Sequence, residues 1–346
     1  EIILQHLGLQ PEKTAEGFRV TSPSFRFDIE IEADLIEEIG RVYGYENIPD
    51  DYTSGRLKML ALPETKRPRF AVYNEMAARG YREVVSYAFV DEQWEQDFAA
   101  NTNPIRLQNP LAAQYAVMRS TLIGGLVEVL QNNLNRKQNR VRVFEIARVF
   151  SKDSADQFVQ NERIGGLWYG SVLPEQWGEK TRNVDFYDMK ADVESLLKNK
   201  EVSFVKTEHP ALHPGRAANI VSDGKVVGFV GELHPKWLQK YDLPQAPLVF
   251  EIDMDAVLGR EKTRYQSVSK FQPARRDLAF VMPEAVTHDD LLNALKAAAN
   301  KLVQEISVFD VYRGTGVPEG MKSVAVKIIL QDMENTLTDE VIEPLV

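Results

Sequence analysis

The chain has no cysteine among its 346 residues, which excludes disulfides and thiolate metal sites. It has no apolar run long enough to cross a bilayer and no signal-peptide pattern. It also lacks an excess of positive charge: 51 acidic residues face 41 basic ones, a net charge of −10. That balance argues against a chain whose whole surface grips nucleic acid. Any RNA contact has to be local, on a basic patch, or shared with a partner. The missing cysteines fit a cytoplasmic setting. What is present, 44% apolar and 27% charged residues, reads as globular, and the length allows two or three domains with their own cores.

One stretch organises the rest, Pro23–Pro49. Phe25, Phe27 and Ile29 alternate with Arg26 and Asp28, the pattern of a short strand. A helix is expected from about Ala33 to Tyr43, with Leu35, Ile36, Ile39, Val42 and Tyr43 as a buried stripe. Asp34, Glu37, Glu38 and Arg41 then share one polar face, and Asp28 reaches it from the strand. Such a cluster repels itself unless a cation sits there, and Mg²⁺ takes carboxylates and water. Acids in a first helical turn are also satisfied by the helix dipole and solvent alone, so spacing leaves both readings open.

The chain begins with Glu1 rather than Met, and Glu1–Leu9 reads as the end of an amphipathic helix stopped at Gly8, so a fragment is expected. Residues 17–20 give a strand. Prolines 49, 63 and 68 punctuate a linker. A helix follows from Pro68 to Arg79, then a strand over Glu83–Val90. Ile105–Gln108 and Ala116–Arg119 are strands around the Asn109-Pro110 turn, and Thr121 caps a helix to Asn135. Val141–Phe150 and Arg163–Tyr169 are strands, and Asp185–Leu197 is a helix. Ala217–Leu233 is a hairpin turning at Ser222–Lys225, and Pro247–Val257 is a last strand. Together these predict a mainly antiparallel sheet flanked by helices. His209, His213 and His234 resemble metal ligands by spacing, but Pro210 and Pro214 preclude a helix through them, and a structural role is expected, with Gly215-Arg216 a turn around a buried arginine contact.

The last region reads βαββα: strand Arg276–Met282, a helix from Thr287 to about Leu302, strands Glu305–Tyr312 and Val324–Leu330, and a helix from Thr338. One more strand completes the ferredoxin-like order, so the domain is expected to be incomplete. A sheet of this kind holds single-stranded RNA by stacking bases on aromatics and meeting phosphates with Lys and Arg. Lys270, Arg275, Arg276, Arg313 and Lys322 are the candidates for phosphate. Phe280, Phe309 and Tyr312 are candidates for stacking, although strand alternation favours core packing for Phe280 and Phe309. The neighbouring acids imply weak, salt-sensitive RNA contact.

Three blocks carry a family resemblance in order: PSFRFDIEIEADLIEEIGRVYGYENIP, then NPLAAQYAVMRSTLIGGL with RVFEIARVF, then SKFQPARRDLAFV with ISVFDVYRGTGVPEGMKS and QDMENTLTDEVI. They resemble the C-terminal part of the bacterial phenylalanyl-tRNA synthetase beta subunit. The resemblance implies an α+β multidomain fold with three parts. These are the end of an acidic, Mg-site-bearing domain (1–54), a class II synthetase-like antiparallel sheet with helices (55–262), and a truncated ferredoxin-fold anticodon-binding domain (263–346). It implies that Asp28, Asp34, Glu37 and Glu38 bind a Mg²⁺ shared with the alpha subunit. It implies partners, namely the alpha subunit in a tetramer of two alpha and two beta chains, and tRNA(Phe), with contacts from Lys270, Arg275, Arg276, Tyr312, Arg313 and Lys322. ATP is then used by the holoenzyme and not bound by this chain. Phe250–Leu258 stands where class II enzymes carry a glycine-rich motif with arginine, yet it offers Asp253 and Asp255. The glutamate partner expected downstream of Arg119 is also missing. The fragment is therefore expected to be a catalytic fold without catalysis, and without the editing domain of the full subunit. The rival expectations are a scaffold that does not bind RNA and an independent adenylating enzyme.

Overall fold

The computed structural model describes residues 1–52, 54–61, 63–198 and 200–345, in two compact units, Glu1–Leu62 and Pro63–Val346. In the first unit α1 (Ile2–His6) leads into a hairpin of β1 (Gln10–Lys13) and β2 (Phe18–Thr21), followed by α2 (Glu32–Tyr43). Gly8, at φ +81°, turns the chain out of α1, as its place after the apolar run suggested.

Phe25–Ile29 is not a strand. The Arg26 amide donates to the Pro23 carbonyl (3.0 Å) and Ser22 Oγ donates to the Arg26 carbonyl (2.9 Å). This turn leaves Phe25 and Phe27 exposed. The helix α2 forms where its periodicity put it, but its stripe is not buried: Ile36, Ile39, Val42 and Tyr43 are exposed, and Glu38 and Gly40 are covered instead. The reason is local. The Tyr45 ring lies over Gly40, where a Cβ would sit 3.1 Å from Cε1, and Arg26 folds onto Glu38.

The second unit starts with α3 (Arg69–Ala78), β3 (Arg82–Glu83), β4 (Phe89–Val90), α4 (Glu92–Ala99), β5 (Val117–Met118) and α5 (Ile123–Asn135). It continues with β6 (Val141–Lys152), β7 (Phe158–Tyr169), α6 (Phe186–Leu196), β8 (Val202–Lys206), β9 (Leu212–Ser222), β10 (Lys225–Leu233), α7 (Pro235–Lys240), β11 (Leu248–Asp253) and α8 (Met254–Leu258). Seven of these strands form one sheet in the order β3-β6-β7-β11-β10-β9-β8, antiparallel except for β3 on β6. Alternation along each strand feeds two cores. Phe144, Ile164, Phe250 and Ile252 pack under α3, α6 and α8, while Val143, Leu167 and Val249 pack under α4, α5 and α7.

Four expected strands are shortened or missing: Ile105–Gln108 keeps only a bridge from Arg106 to Val117, Ala116–Arg119 narrows to Val117–Met118, and two more are cut short. Glu83–Val90 becomes two two-residue strands in different sheets, because Ser86 between them turns its amide and hydroxyl to Glu145. The strand Pro247–Val257 stops at Asp253, where α8 begins. Four elements lack clear sequence signals: β1, α4, β8 and α7. Each is short, and the pairing or packing partner that holds it lies elsewhere in the chain.

The last elements are β12 (Ala274–Pro283), α9 (His288–Ala298), β13 (Val303–Tyr312), β14 (Met321–Leu330) and α10 (Asp339–Ile342). Their sheet has the order β12-β14-β13, all antiparallel. Val324, Val326, Ile328 and Leu330 alternate into a core with Met282, Leu291 and Ile342. Thr287 caps α9: its Oγ1 accepts from the Asp290 amide at 3.1 Å, and Asp290 accepts from the Thr287 amide at 3.0 Å.

Candidate functional site

The four acids of the first unit do not converge. Arg26 takes Asp28 through Nε (3.0 Å) and Nη2 (2.8 Å) and reaches Glu38 at 3.1 Å. Arg41 closes on Glu38 from the other side at 2.8 Å. Asp34 instead accepts the backbone amides of Glu30 (2.8 Å) and Ile31 (2.9 Å), and Glu37 is exposed. The carboxyl of Asp28 is held below its ordinary range by the hydrogen bond from Arg26. That of Glu38 is lowered by Arg41 and then Arg26, and that of Asp34 by the amides of Ile31 and Glu30. Among the described residues, no three acids or histidines stand close enough to hold a metal ion. The residue that sequence reasoning passed over is Arg26, a cation inside the acidic stretch.

The six candidate RNA contacts fall on different sides of the last sheet. Register and burial put Arg275, Asp277, Ala279 and Val281 of β12 on the face away from the core, with Ala325, Lys327 and Ile329 of β14 beside them. Tyr312 and Phe309 of β13 share this face, Phe309 at a bulge between Val308 and Asp310 and 53% exposed. The Arg275 guanidinium lies 5.5 Å from the Phe309 ring centre. Phe280 packs toward the core, as expected; Phe309 does not, and the signal was its parity with Ser307. Arg276 belongs to the opposite face and pairs with Asp339 of α10. Arg313 pairs with Glu284 at 2.6 Å, and Lys322 Nζ donates to the carbonyls of Glu284 and Val286 at 3.1 and 2.7 Å. Lys270 is exposed ahead of β12. The open face thus keeps Arg275, Tyr312 and Phe309, the last against the preference for core packing. Its cations are already matched, Arg275 with Asp277 (2.8 Å) and Lys327 with Glu305 (2.8 Å); the first pair lowers the Asp277 carboxyl.

At the centre of the large sheet, Glu145 of β6 and Glu251 of β11 lie in one row, both opposite Gly165 of β7, and both are buried. Arg119 does have a glutamate partner, Glu145 at 3.0 Å, supplied 26 residues downstream by a strand; the lone acid in VRVFEIARVF was the signal. Ser86 Oγ donates to Glu145 at 2.6 Å. Glu251 accepts from Thr121 Oγ1 (2.6 Å) and the Leu122 amide (2.8 Å) at the start of α5, so Glu251, rather than Thr121 alone, caps that helix. Arg163 joins Glu251 (2.6 Å) to Asp253 (3.0 Å). A Cβ on Gly165 would sit 3.1 Å from Leu122, so the centre of this face is filled by protein.

The three histidines end turns. Their Nδ1 atoms accept the amides of Ala211, Gly215 and Lys236 at 3.2, 3.0 and 3.0 Å. His209 packs against Phe229 with ring centres 4.1 Å apart and planes inclined by 32°, and burial, followed by the charge of Arg163, pushes its pKa down to about 4. Arg216 is not buried; it is exposed and pairs with Glu232 at 2.7 Å.

Comparison with known proteins follows this layout. The tRNA synthetase B5 domain family matches residues 1–45, the phenylalanyl tRNA synthetase beta chain CLM domain residues 48–254, and the ferredoxin-fold anticodon binding domain residues 269–346. Relatives named phenylalanine–tRNA ligase beta subunit align along the chain. That of Neisseria meningitidis serogroup B is 89% identical over 346 residues, covering 100% of this chain and 44% of the relative. That of Chromobacterium violaceum is 56% identical, with 99% and 43% covered, and that of Dechloromonas aromatica 51%, with 97% and 44% covered. The chain therefore spans less than half the length of these relatives. Among solved structures, a pyrrolysyl tRNA synthetase of Desulfitobacterium hafniense aligns at 11% identity with a TM-score of 0.40, covering 55% of this chain and 66% of that one, a likeness too slight to argue from. Three domain matches in chain order, one of them spanning more than half of the residues, show that the chain belongs to the phenylalanyl-tRNA synthetase beta chain family.

Proposed function

We propose that this chain is a non-catalytic part of the beta subunit of phenylalanine–tRNA ligase, a cytoplasmic enzyme of two alpha and two beta chains. In this reading it supports the alpha subunit and holds tRNA(Phe) while phenylalanine is attached to it at the expense of ATP. Its parts are the end of an acidic domain (1–54), a class II synthetase-like domain (55–262) and an anticodon-binding domain (263–346). The observation that carries the non-catalytic assignment is the filled centre of the large sheet. Arg119 is consumed by Glu145, and Arg163 by Glu251 and Asp253. Among the described residues, both guanidinium groups at that centre are already paired, and the acids beside them would repel a triphosphate. ATP then belongs to the alpha subunit.

RNA contact is assigned to the open face of the last sheet, with Arg275 for phosphate and Tyr312 for a base. Lys270 flanks that face, while Arg276, Arg313 and Lys322 serve the domain's own packing. The acids Asp28, Asp34, Glu37 and Glu38 do not fit a shared Mg²⁺ as they stand, since Arg26 and Arg41 already pair with two of them. No step is routed through that ion. The test uses the full-length beta chain assembled with its alpha chain. Arg275→Ala with Tyr312→Ala should raise KM for tRNA and leave phenylalanine-dependent ATP–pyrophosphate exchange unchanged. An unchanged KM favours the scaffold reading, which the matched charges of the open face support. A loss of exchange instead removes the assignment of this face to RNA.

A further inference from the structure

One small cavity borders the Arg119–Glu145 pair through Ser86, between residues 86–94, residues 114–115 and α5, with a volume of about 140 Å³. Tyr87, Tyr115 and Trp94 form much of its wall, and Asp91, Glu128 and Gln114 supply its polar groups. The rings of Tyr87 and Tyr115 stand 5.1 Å apart, inclined by 48°. Asp91 spends one oxygen on the Gln93 amide (2.8 Å) at the start of α4. Glu128 is exposed and enters no ion pair among the described residues. The nearest buried cation, Arg119, reaches Ser86 Oγ at 2.9 Å but is neutralised by Glu145. Gly125 lets the Ser86 side chain pack against α5 at the cavity wall, since a Cβ there would collide with Ser86 Oγ.

Aromatic faces attract a cation placed within about 6 Å of the ring centre, and an unmatched carboxylate at the rim adds charge of the right sign. An anion meets the opposite on both counts. We infer that this cavity binds an alkylguanidinium or alkylammonium group, seated on Tyr87 and Tyr115 with Glu128 as its counter-charge. Two sources carry that chemistry, a lysine or arginine side chain of a partner protein and a free polyamine.

The test is calorimetric titration of the chain with agmatine, spermidine and the neutral N-butylurea. Agmatine should bind saturably and N-butylurea should not. Tyr87→Leu and Glu128→Gln should each weaken agmatine about fivefold, with far-UV circular dichroism and the urea midpoint unchanged, since both side chains are exposed. Agmatine and spermidine binding alike supports a single side chain as the natural occupant; spermidine binding about tenfold tighter supports a free polyamine. Absence of saturable agmatine binding overturns the inference, as does equal binding of N-butylurea or indifference to both substitutions.

Discussion

Glu145→Ala should destabilise the second unit heavily. Arg119 and Glu145 have side chains only 6% and 3% exposed. The substitution removes the ion pair at 3.0 Å and the acceptor of the Ser86 hydroxyl. The guanidinium stays buried with Ser86 Oγ at 2.9 Å and the Arg148 carbonyl at 3.1 Å, contacts that leave its charge unmatched. Removing one partner of a buried pair costs about 3–5 kcal/mol. For a unit of this size that lowers the melting temperature by about 6–20 °C. Replacing both partners by apolar residues, Arg119→Met with Glu145→Leu, should recover most of the loss, because it also removes the desolvation cost. Urea unfolding followed by the buried Trp168 and Trp237 reads all three proteins. A loss below about 1 kcal/mol for Glu145→Ala would mean that the pair is wet and Arg119 free. A double variant as unstable as the single one would mean that packing, not charge, sets the cost. Either result refutes the argument that this arginine is unavailable to a nucleotide.

Three further outcomes are expected. His209 has a pKa of about 4 in the fold against 6.5 ordinarily, so the unfolded chain binds the extra proton first. Stability should fall as pH drops from 6.5 toward 4, by about 3 kcal/mol in all, and His209→Asn, which keeps an acceptor for the Ala211 amide, should abolish that slope in urea midpoints; an unchanged slope assigns it to other groups. Arg26→Gln frees Asp28 and leaves Glu38 paired with Arg41 alone, so Mg²⁺ should raise the melting temperature of this variant more than that of the parent chain, and the reverse order would show that the acids already hold the ion with Arg26 in place. Arg275→Ala should raise KM for tRNA in the assembled enzyme while Arg276→Ala, on the opposite face, leaves it within about twofold; equal effects would show that RNA contacts both faces or neither.

Much of the architecture was legible because it rests on periodicity. The alternation of VRVFEIARVF and of residues 324–330 and the 3.6-residue stripes of α5 and α9 state which face is buried whatever the partner. The failures share a cause. Phe25–Ile29 alternates like a strand, but a strand needs a neighbour to pair with, and the hydrogen bonds of Ser22 and Arg26 close a turn first. The stripe of α2 is equally periodic, yet periodicity records that a helix has an apolar face and not what covers it. Residue type gave the acids of α2, but the ion pairs of Arg26 depend on a backbone turn that no spacing rule describes. Phe309 and Glu145 were readable and under-weighted: one by its parity with a serine, the other as a lone acid in an apolar strand.

The same economy of charge recurs in each part of the chain and constrains how it can bind anything. Arg26, Arg119 and Arg275 all stand beside an acid of the same chain, and the net charge of −10 leaves no general attraction for RNA. A phosphate reaching Arg275 must displace Asp277, which then repels it, so the gain is an exchange of one ion pair for another rather than a new one. Exposed pairs of this kind are worth little, which makes the exchange feasible. Its small net return means that affinity has to come from elsewhere. On this face the remaining sources are stacking on Tyr312 and Phe309, at about 1–3 kcal/mol per base, and presentation of the RNA by the rest of the assembly, which makes the contact effectively intramolecular. In the proposed reading, a sheet built this way orients an RNA that is already held, and selects by shape and stacking rather than by charge.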